Sequence, residues 1–151
     1  MTGTPVHSVS VAAVVVDDAG RALLVRRRDN GRWEPPGGVL ERDETIVDGL
    51  RREVAEETGL DVVVGDLAGV YKNMTRAIVA LVFRCRVQGG SLRTNDEVTE
   101  FRWMSIDEVS AELDEAYAVR VVDALRSETV TVRAHDGCRV LASATLPRVR
   151  P

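Results

Sequence analysis

The chain of 151 residues has the size of one ordinary domain, and its 44% hydrophobic and 29% charged residues give it a sizeable core and a solvated surface, which argues against disorder. A net charge of −4 and an isoelectric point near 5.3 exclude a nonspecific nucleic-acid binder, which carries a basic surface. The two cysteines, Cys85 and Cys138, lie far apart in no metal-ligand spacing, so they read as reduced, mostly buried thiols.

No stretch approaches the length that spans a bilayer. The N-terminal segment lacks the basic n-region of a signal peptide, and its apolar run is short and broken by Ser8 and Ser10. The expected address is therefore the cytoplasm, with no membrane and no nucleic acid as partner.

Val9 to Val16 is β-branched and apolar, and Asp17-Asp18-Ala19-Gly20 punctuates it before a second apolar run, Ala22 to Val25, that ends in Arg26-Arg27-Arg28. The pair predicts a hairpin. Asp29 to Gly38 carries Pro35-Pro36 and Gly37-Gly38 and predicts a shaped loop without regular structure. From Thr45 to Thr58 the period becomes helical: Ile46, Leu50 and Val54 recur every four residues with Val47 beside them. Thr45 and Asp48 resemble a capping box, and Gly59 suits the left-handed residue past a helix end. Gly49 weakens this helix by roughly 1 kcal/mol relative to alanine, which points to close packing there.

Val62–Val64, Leu67–Lys72 and Ala77–Val87 predict strands, with Asn73-Met74-Thr75 as a turn and Gln88 to Ser91 as a loop. A short strand, Phe101–Met104, precedes a helical region from Ser105 through Leu125. Thr129–Ala134 and Cys138–Leu141 flank Asp136-Gly137, a strong hairpin signal. The order predicts an α+β fold, an α/β/α sandwich with a mixed sheet. The main domain covers residues 1–127, and residues 128–151 form a β-hairpin extension of it.

The chemistry is concentrated in Gly38 to Leu60, GVLERDETIVDGLRREVAEETGL. On a helix advancing roughly 100° per residue, Glu53, Glu56 and Glu57 share one arc, beside the apolar arc of Ile46, Val47, Leu50 and Val54 that must face the core. Like charges so spaced repel, and a divalent cation would remove the repulsion, since hard carboxylate oxygens suit Mg²⁺ or Mn²⁺. Taken alone, a charge run is more often a solvated face.

The rest of the segment decides against that plainer reading, because it resembles the Nudix box, Gly-x5-Glu-x7-Arg-Glu-U-x-Glu-Glu-x-Gly-U, where U is a bulky aliphatic residue. Gly38, Glu44, Arg52, Glu53, Val54, Glu56, Glu57, Gly59 and Leu60 fill every specified place. Trp33 to Gly38 is similar to the family's Trp-x-x-Pro-Gly-Gly approach to the box. The resemblance extends loosely from about Ser8 to Leu125 and leaves out the tail.

What the resemblance implies is metal-assisted hydrolysis of a diphosphate linkage, by attack of water at phosphorus. Glu53, Glu56, Glu57 and the Gly37 carbonyl would hold Mg²⁺, with Mn²⁺ as the alternative. Arg52 would orient Glu53, and Glu44 would sit close by. The general base would be Glu53 or Glu97, the latter set against a plain solvated turn. Alternation sends at least one of the three consecutive arginines toward the cleft, and Arg27 and Arg28 are the candidates for substrate phosphate. Trp33 is a candidate for stacking on substrate or for anchoring the loop, and Tyr71 for a base or sugar against the plainer reading of an ordinary strand end.

The substrate implied is a nucleotide-like small molecule. Thr75 and Arg76 stand near the place where ADP-ribose hydrolases of the family carry a proline, which favours nucleoside triphosphates or another nucleoside diphosphate derivative. The competing class is a catalytically silent Nudix domain that binds a nucleotide and reports it to a partner. The tail hairpin, too small to stand alone, predicts a homodimer through its valine-rich edge, with docking on its own domain as the alternative.

Overall fold

A computed structural model describes residues 3–151. Its elements are β1 (Ser8–Val15), β2 (Ala22–Arg27), β3 (Trp33–Glu34), β4 (Gly37–Val39), α1 (Ile46–Thr58), β5 (Leu60–Asn73), β6 (Ile78–Gly90), β7 (Val98–Met104), α2 (Ile106–Glu112), α3 (Glu115–Arg126), β8 (Thr131–His135) and β9 (Val140–Thr145). A six-stranded mixed sheet runs in the order β4-β1-β6-β5-β8-β9, and a three-stranded sheet in the order β3-β2-β7. Strand β1 pairs parallel with β6 and antiparallel with β4.

Strand β1 is buried on both faces, which explains its unbroken apolar run. Val11, Ala13 and Val15 pack with Leu50 and Val54 of α1, while Ala12 and Val14 join a second core containing Val109 of α2 and Val121 of α3. The expected α+β sandwich is therefore present, with α1 against one core and α2 and α3 in the other. No described helix is long and apolar enough to cross a membrane.

Several local expectations are corrected. The first two strands do not form a hairpin: they fall in different sheets and share one isolated bridge, Val16 to Ala22. Asp17 instead folds the connection locally, accepting from the Ala19 and Arg21 amides at 3.0 and 2.8 Å. The proline-glycine loop contains two short strands, because Pro35 and Pro36 break pairing only between them. Of the loop predicted at Gln88 to Ser91, all but Ser91 belongs to the end of β6, where Gly90 lies opposite Leu60. The late helical region is two helices, separated at Leu113 and Asp114. Ile46 and Val47 do not face the core: at 40% and 44% exposure they sit in the first turn of α1, while Leu50 and Val54 are fully buried.

The tail hairpin adds to the main sheet through parallel pairing of β8 with β5, leaving β9 as the outer edge. Buried Asp123 of α3 anchors it, accepting two bonds from Arg133 at 2.8 and 2.7 Å and one from the Tyr71 hydroxyl at 2.7 Å. One carboxylate thus ties β5, α3 and β8 together. Of the two thiols, Cys85 is buried and Cys138, at the hairpin tip, is exposed.

Candidate active site

The helix α1 sets the site. Thr45 caps it, its hydroxyl accepting from the Asp48 amide at 3.1 Å, and Gly59 ends it with a φ of 81°. With Leu50 and Val54 fixing the inward face, a step of roughly 100° per residue turns Glu57 toward the core, Glu53 to its flank and Glu56 outward. Glu57 is accordingly 7% exposed, and the side chains of Glu53 and Glu56 are 13% and 59% exposed.

Arg52 binds this row together. Its guanidinium grips Glu44 with two bonds of 2.8 and 2.7 Å and donates to Glu53 at 3.0 Å and Glu56 at 3.2 Å. These bonds to Arg52, with the Glu41 amide, hold the Glu44 carboxyl down at about 2. Glu53 and Glu57 move the other way. Burial pushes the Glu57 carboxyl up to about 8, and the neighbouring charges of Glu34, Glu53 and Glu97 add to the rise. Burial also raises Glu53, against the pull of Arg52 and with the push of Glu56 and Glu97.

Both glycines of the approach are required by close contact. A β-carbon on Gly38 would lie 2.5 Å from the Glu53 carboxylate, and one on Gly37 would collide with the backbone of β1. The Gly37 amide donates to Glu57 at 3.4 Å. Gly49, anticipated as a packing residue, lets Leu40 and Glu44 cross the helix, since a β-carbon there would sit 2.5 Å from Leu40.

Glu53 and Glu57 open into a cleft of about 650 Å³, which Arg27, Arg28 and Glu97 also line. Asn95 anchors the loop bearing Glu97, donating to the Glu57 carbonyl at 2.7 Å and accepting from the Glu97 amide at 2.9 Å. This turn is therefore built against the end of α1 rather than simply solvated. A register shift between Arg26 and Arg27 in the pairing with β7 alters the strand alternation at the point where Arg27 enters the cleft.

Trp33 lies outside that cleft, in an adjoining cavity of about 500 Å³. The guanidinium carbons of Arg26 and Arg102 stand 5.9 and 5.6 Å from its ring. Tyr71 is corrected: it is fully buried, its ring packed in the core and its hydroxyl donated to Asp123, so it offers nothing to a ligand. Sequence reasoning passed over Glu34, which lines the cleft, pairs with Arg27 at 3.2 Å and is raised by burial. The available signal was an acid inside the proline-glycine approach to the box.

The donors are hard carboxylate oxygens crowded enough to disfavour one another's ionisation, the chemistry that fits a divalent cation. Among the described residues no three acidic, histidine or cysteine side chains form a ready-made cage, because Glu53 and Glu56 are turned onto Arg52. A cation at Glu53, Glu56 and Glu57 would thus compete with Arg52 for Glu53 and Glu56.

A raised carboxyl stabilises the folded chain while it is protonated, and that contribution is lost as pH rises through the folded value. Metal-free protein should therefore lose thermal stability between about pH 5 and 8, the window set by Glu57. Glu57→Gln should flatten that decline; an equally steep decline in the variant, followed by calorimetry, would mean Glu57 is not the group responsible.

The family model for the NUDIX domain matches residues 6–125. A "MutT-like protein" of Streptomyces ambofaciens is 58% identical over 90% of this chain and 88% of its own length. An "ADP-ribose pyrophosphatase" of Methanocaldococcus jannaschii is 31% identical over 67% of this chain and 64% of its own. Among solved structures, the crystal structure of an ADP-ribose pyrophosphatase from Streptococcus suis superposes with a TM-score of 0.73 at 26% identity, covering 86% of this chain and all of that one (100%). The chain belongs to the NUDIX family and is a Nudix hydrolase.

Proposed function

We propose that this chain hydrolyses a diphosphate linkage in a nucleoside diphosphate derivative or a nucleoside triphosphate, by attack of water at phosphorus, with Mg²⁺ or Mn²⁺ as cofactor. The observation that carries this reading is the buried Glu57 carboxyl beside Glu53, both opening into a cleft with Arg27 and Arg28. Bound by Glu53, Glu56, Glu57 and the Gly37 carbonyl, such a cation supplies Lewis-acid polarisation of a phosphoryl oxygen and neutralises the leaving phosphate. Arg28 presents a cation to substrate phosphate at the mouth of the cleft, and Arg27 does so from its pair with Glu34. Arg52 and Glu44 are positioning residues, because their strong mutual bonds fix the helix face from which Glu53 projects. Glu53 and Glu97 are the two candidate bases for the attacking water.

The curated and solved relatives described as ADP-ribose pyrophosphatases support a nucleoside diphosphate derivative as substrate. The missing proline near Thr75 and Arg76 weighs toward other members of that class, so the class is the level at which the substrate is proposed. A soluble nucleotide of this kind agrees with the proposed cytoplasmic address.

Glu56→Gln and Glu57→Gln should each reduce turnover by several orders of magnitude, consistent with loss of metal-supported charge stabilisation. They should stay folded, because each relieves repulsion on α1. Full activity of both at saturating substrate would remove the proposed metal site. Glu53→Gln should fall with its fellow metal ligands whichever residue is the base, so Glu97→Gln decides: a fall on the order of 10²–10⁴-fold assigns Glu97, and turnover near that of the wild type assigns Glu53.

The same reading includes a homodimer formed through the outer edge strand β9, whose Leu141 is 60% exposed. Light scattering at micromolar concentration should give twice the monomer mass of 16.5 kDa. A monomer mass sinks the dimer.

A further inference from the structure

Arg120 of α3 is a buried cation that no ion pair among the described residues engages, although the more distant Glu34 carboxylate attracts it. Arg120 is 8% exposed, and its Nε has no hydrogen-bond partner among the described residues. The ion pairs of the described residues engage Arg27, Arg32, Arg52 and Arg133, among others, but neither Arg120 nor Arg76. Burial pulls Arg120 below the ordinary arginine range, whereas carboxylate partners raise Arg27, Arg52 and Arg133.

The neighbours of Arg120 do not meet its needs. Its guanidinium lies 5.4 Å from the Tyr71 ring and 4.7 Å from the Tyr117 ring, contacts that offset only part of the cost of burying a charge. Its Nη2 stands 3.3 Å from Nε2 of His135, whose Nδ1 lies 3.0 Å from the Gly137 amide nitrogen. Both the guanidinium and the amide are donors, and a neutral imidazole has one lone pair to give. Whichever tautomer His135 adopts, one of the two contacts sets donor against donor.

Arg120 lines a cavity of about 270 Å³ together with Arg27, Arg76, Tyr117 and Glu34. The cavity also reaches Gly37 and Gly38, so it adjoins the carboxylate cleft. Glu34 is the only acid among the described residues that line it, and that carboxylate is paired with Arg27. With Arg27, Arg76 and Arg120 set against this one acid, the lining carries an excess of positive charge. His135, which backs Arg120, belongs to the tail hairpin beyond the residues matched by the family model. The tip of that hairpin is tied to the neighbouring turn and helix, the Met74 amide donating to the His135 carbonyl at 2.8 Å and the Ala116 amide to the Cys138 carbonyl at 3.0 Å.

We propose that this cavity is a second oxyanion site, in which Arg120 and Arg76 bind a phosphate or carboxylate group that the substrate carries apart from the diphosphate being cleaved. A guanidinium fork matches either oxyanion, and burial strengthens the bond. The inference rests on the reading of the carboxylate cleft as the site of cleavage, but its test does not depend on turnover.

Inorganic phosphate and acetate are titrated separately into full-length, metal-stripped protein, with calorimetry and thermal shift as readouts. Phosphate or acetate should stabilise the wild type, and whichever binds more tightly identifies the group. Arg120→Met should weaken that binding about tenfold or more. Its unliganded melting temperature should be equal or higher, because replacing a buried unpaired charge by an apolar chain of similar length removes a cost. A purely structural Arg120 would instead lower the melting temperature and leave anion binding unchanged. Neither anion affecting the wild type, or the tighter one binding the variant equally well, overturns the proposal. Should Arg120→Met fail to fold, Arg76→Ala at an exposed position replaces it: weaker binding supports the site, and unchanged binding overturns it. Glu57→Gln should retain anion binding in the metal-stripped state, so a failed hydrolase reading and a failed oxyanion site give different results.

Discussion

Everything in the site follows from one constraint: Glu57 lies on the face of α1 that Leu50 and Val54 press against the core. A carboxylate in that position is desolvated, and its neighbours Glu34, Glu53 and Glu97 make ionisation harder still. A fold seeking stability alone would place an apolar residue there, since an uncompensated buried charge is costly. Arg52 relieves part of the crowding by taking Glu44, Glu53 and Glu56 into one network, but it does not reach Glu57. The cluster is thus crowded with acidic groups that disfavour one another's ionisation. The proposed cation would relieve that crowding, a task that Arg52 performs in part.

The surrounding architecture exists to bring backbone close to that helix. Pairing of β4 with β1 sets Gly37 opposite Ala12 and Gly38 opposite Val11, and only glycine leaves room for the Glu53 carboxylate and the β1 backbone at these points. On the other side of the cleft, β2 and β7 deliver Arg27, Arg28 and the loop of Glu97, and Asn95 fastens that loop to the last turn of α1. Far from the cleft, Asp123 performs a comparable task for the tail, joining Tyr71 and Arg133 so that the hairpin becomes part of the main sheet. The hairpin then sets His135 behind Arg120 and its tip beside the turn that follows β5.

Local signals carried well where a short segment determines its own geometry. Thr45 and Gly59 mark the two ends of α1 in sequence as they do in space, and the spacing of Glu53, Glu56 and Glu57 conveys that they share a helix side. The Asp136-Gly137 turn was equally legible. Partnership between distant segments was not. Two apolar runs on either side of Asp17 to Gly20 look the same whether the strands pair together or part into two sheets, and here they part. Tyr71 at a strand end could have faced a ligand, but an aspartate 52 positions away took its hydroxyl. Glu34 and Arg120 escaped notice for the same reason: each stands alone in sequence, and only the fold buries it against a cavity.

Water attack at phosphorus, in a cleft whose carboxylates await a divalent cation, is the central claim. The most direct measurement is hydrolysis of the best substrate from a nucleotide panel in ¹⁸O-enriched water with Mg²⁺, followed by mass spectrometry of each product. One labelled oxygen on a phosphate product is the expected result, and label on a sugar carbon instead would contradict the claim.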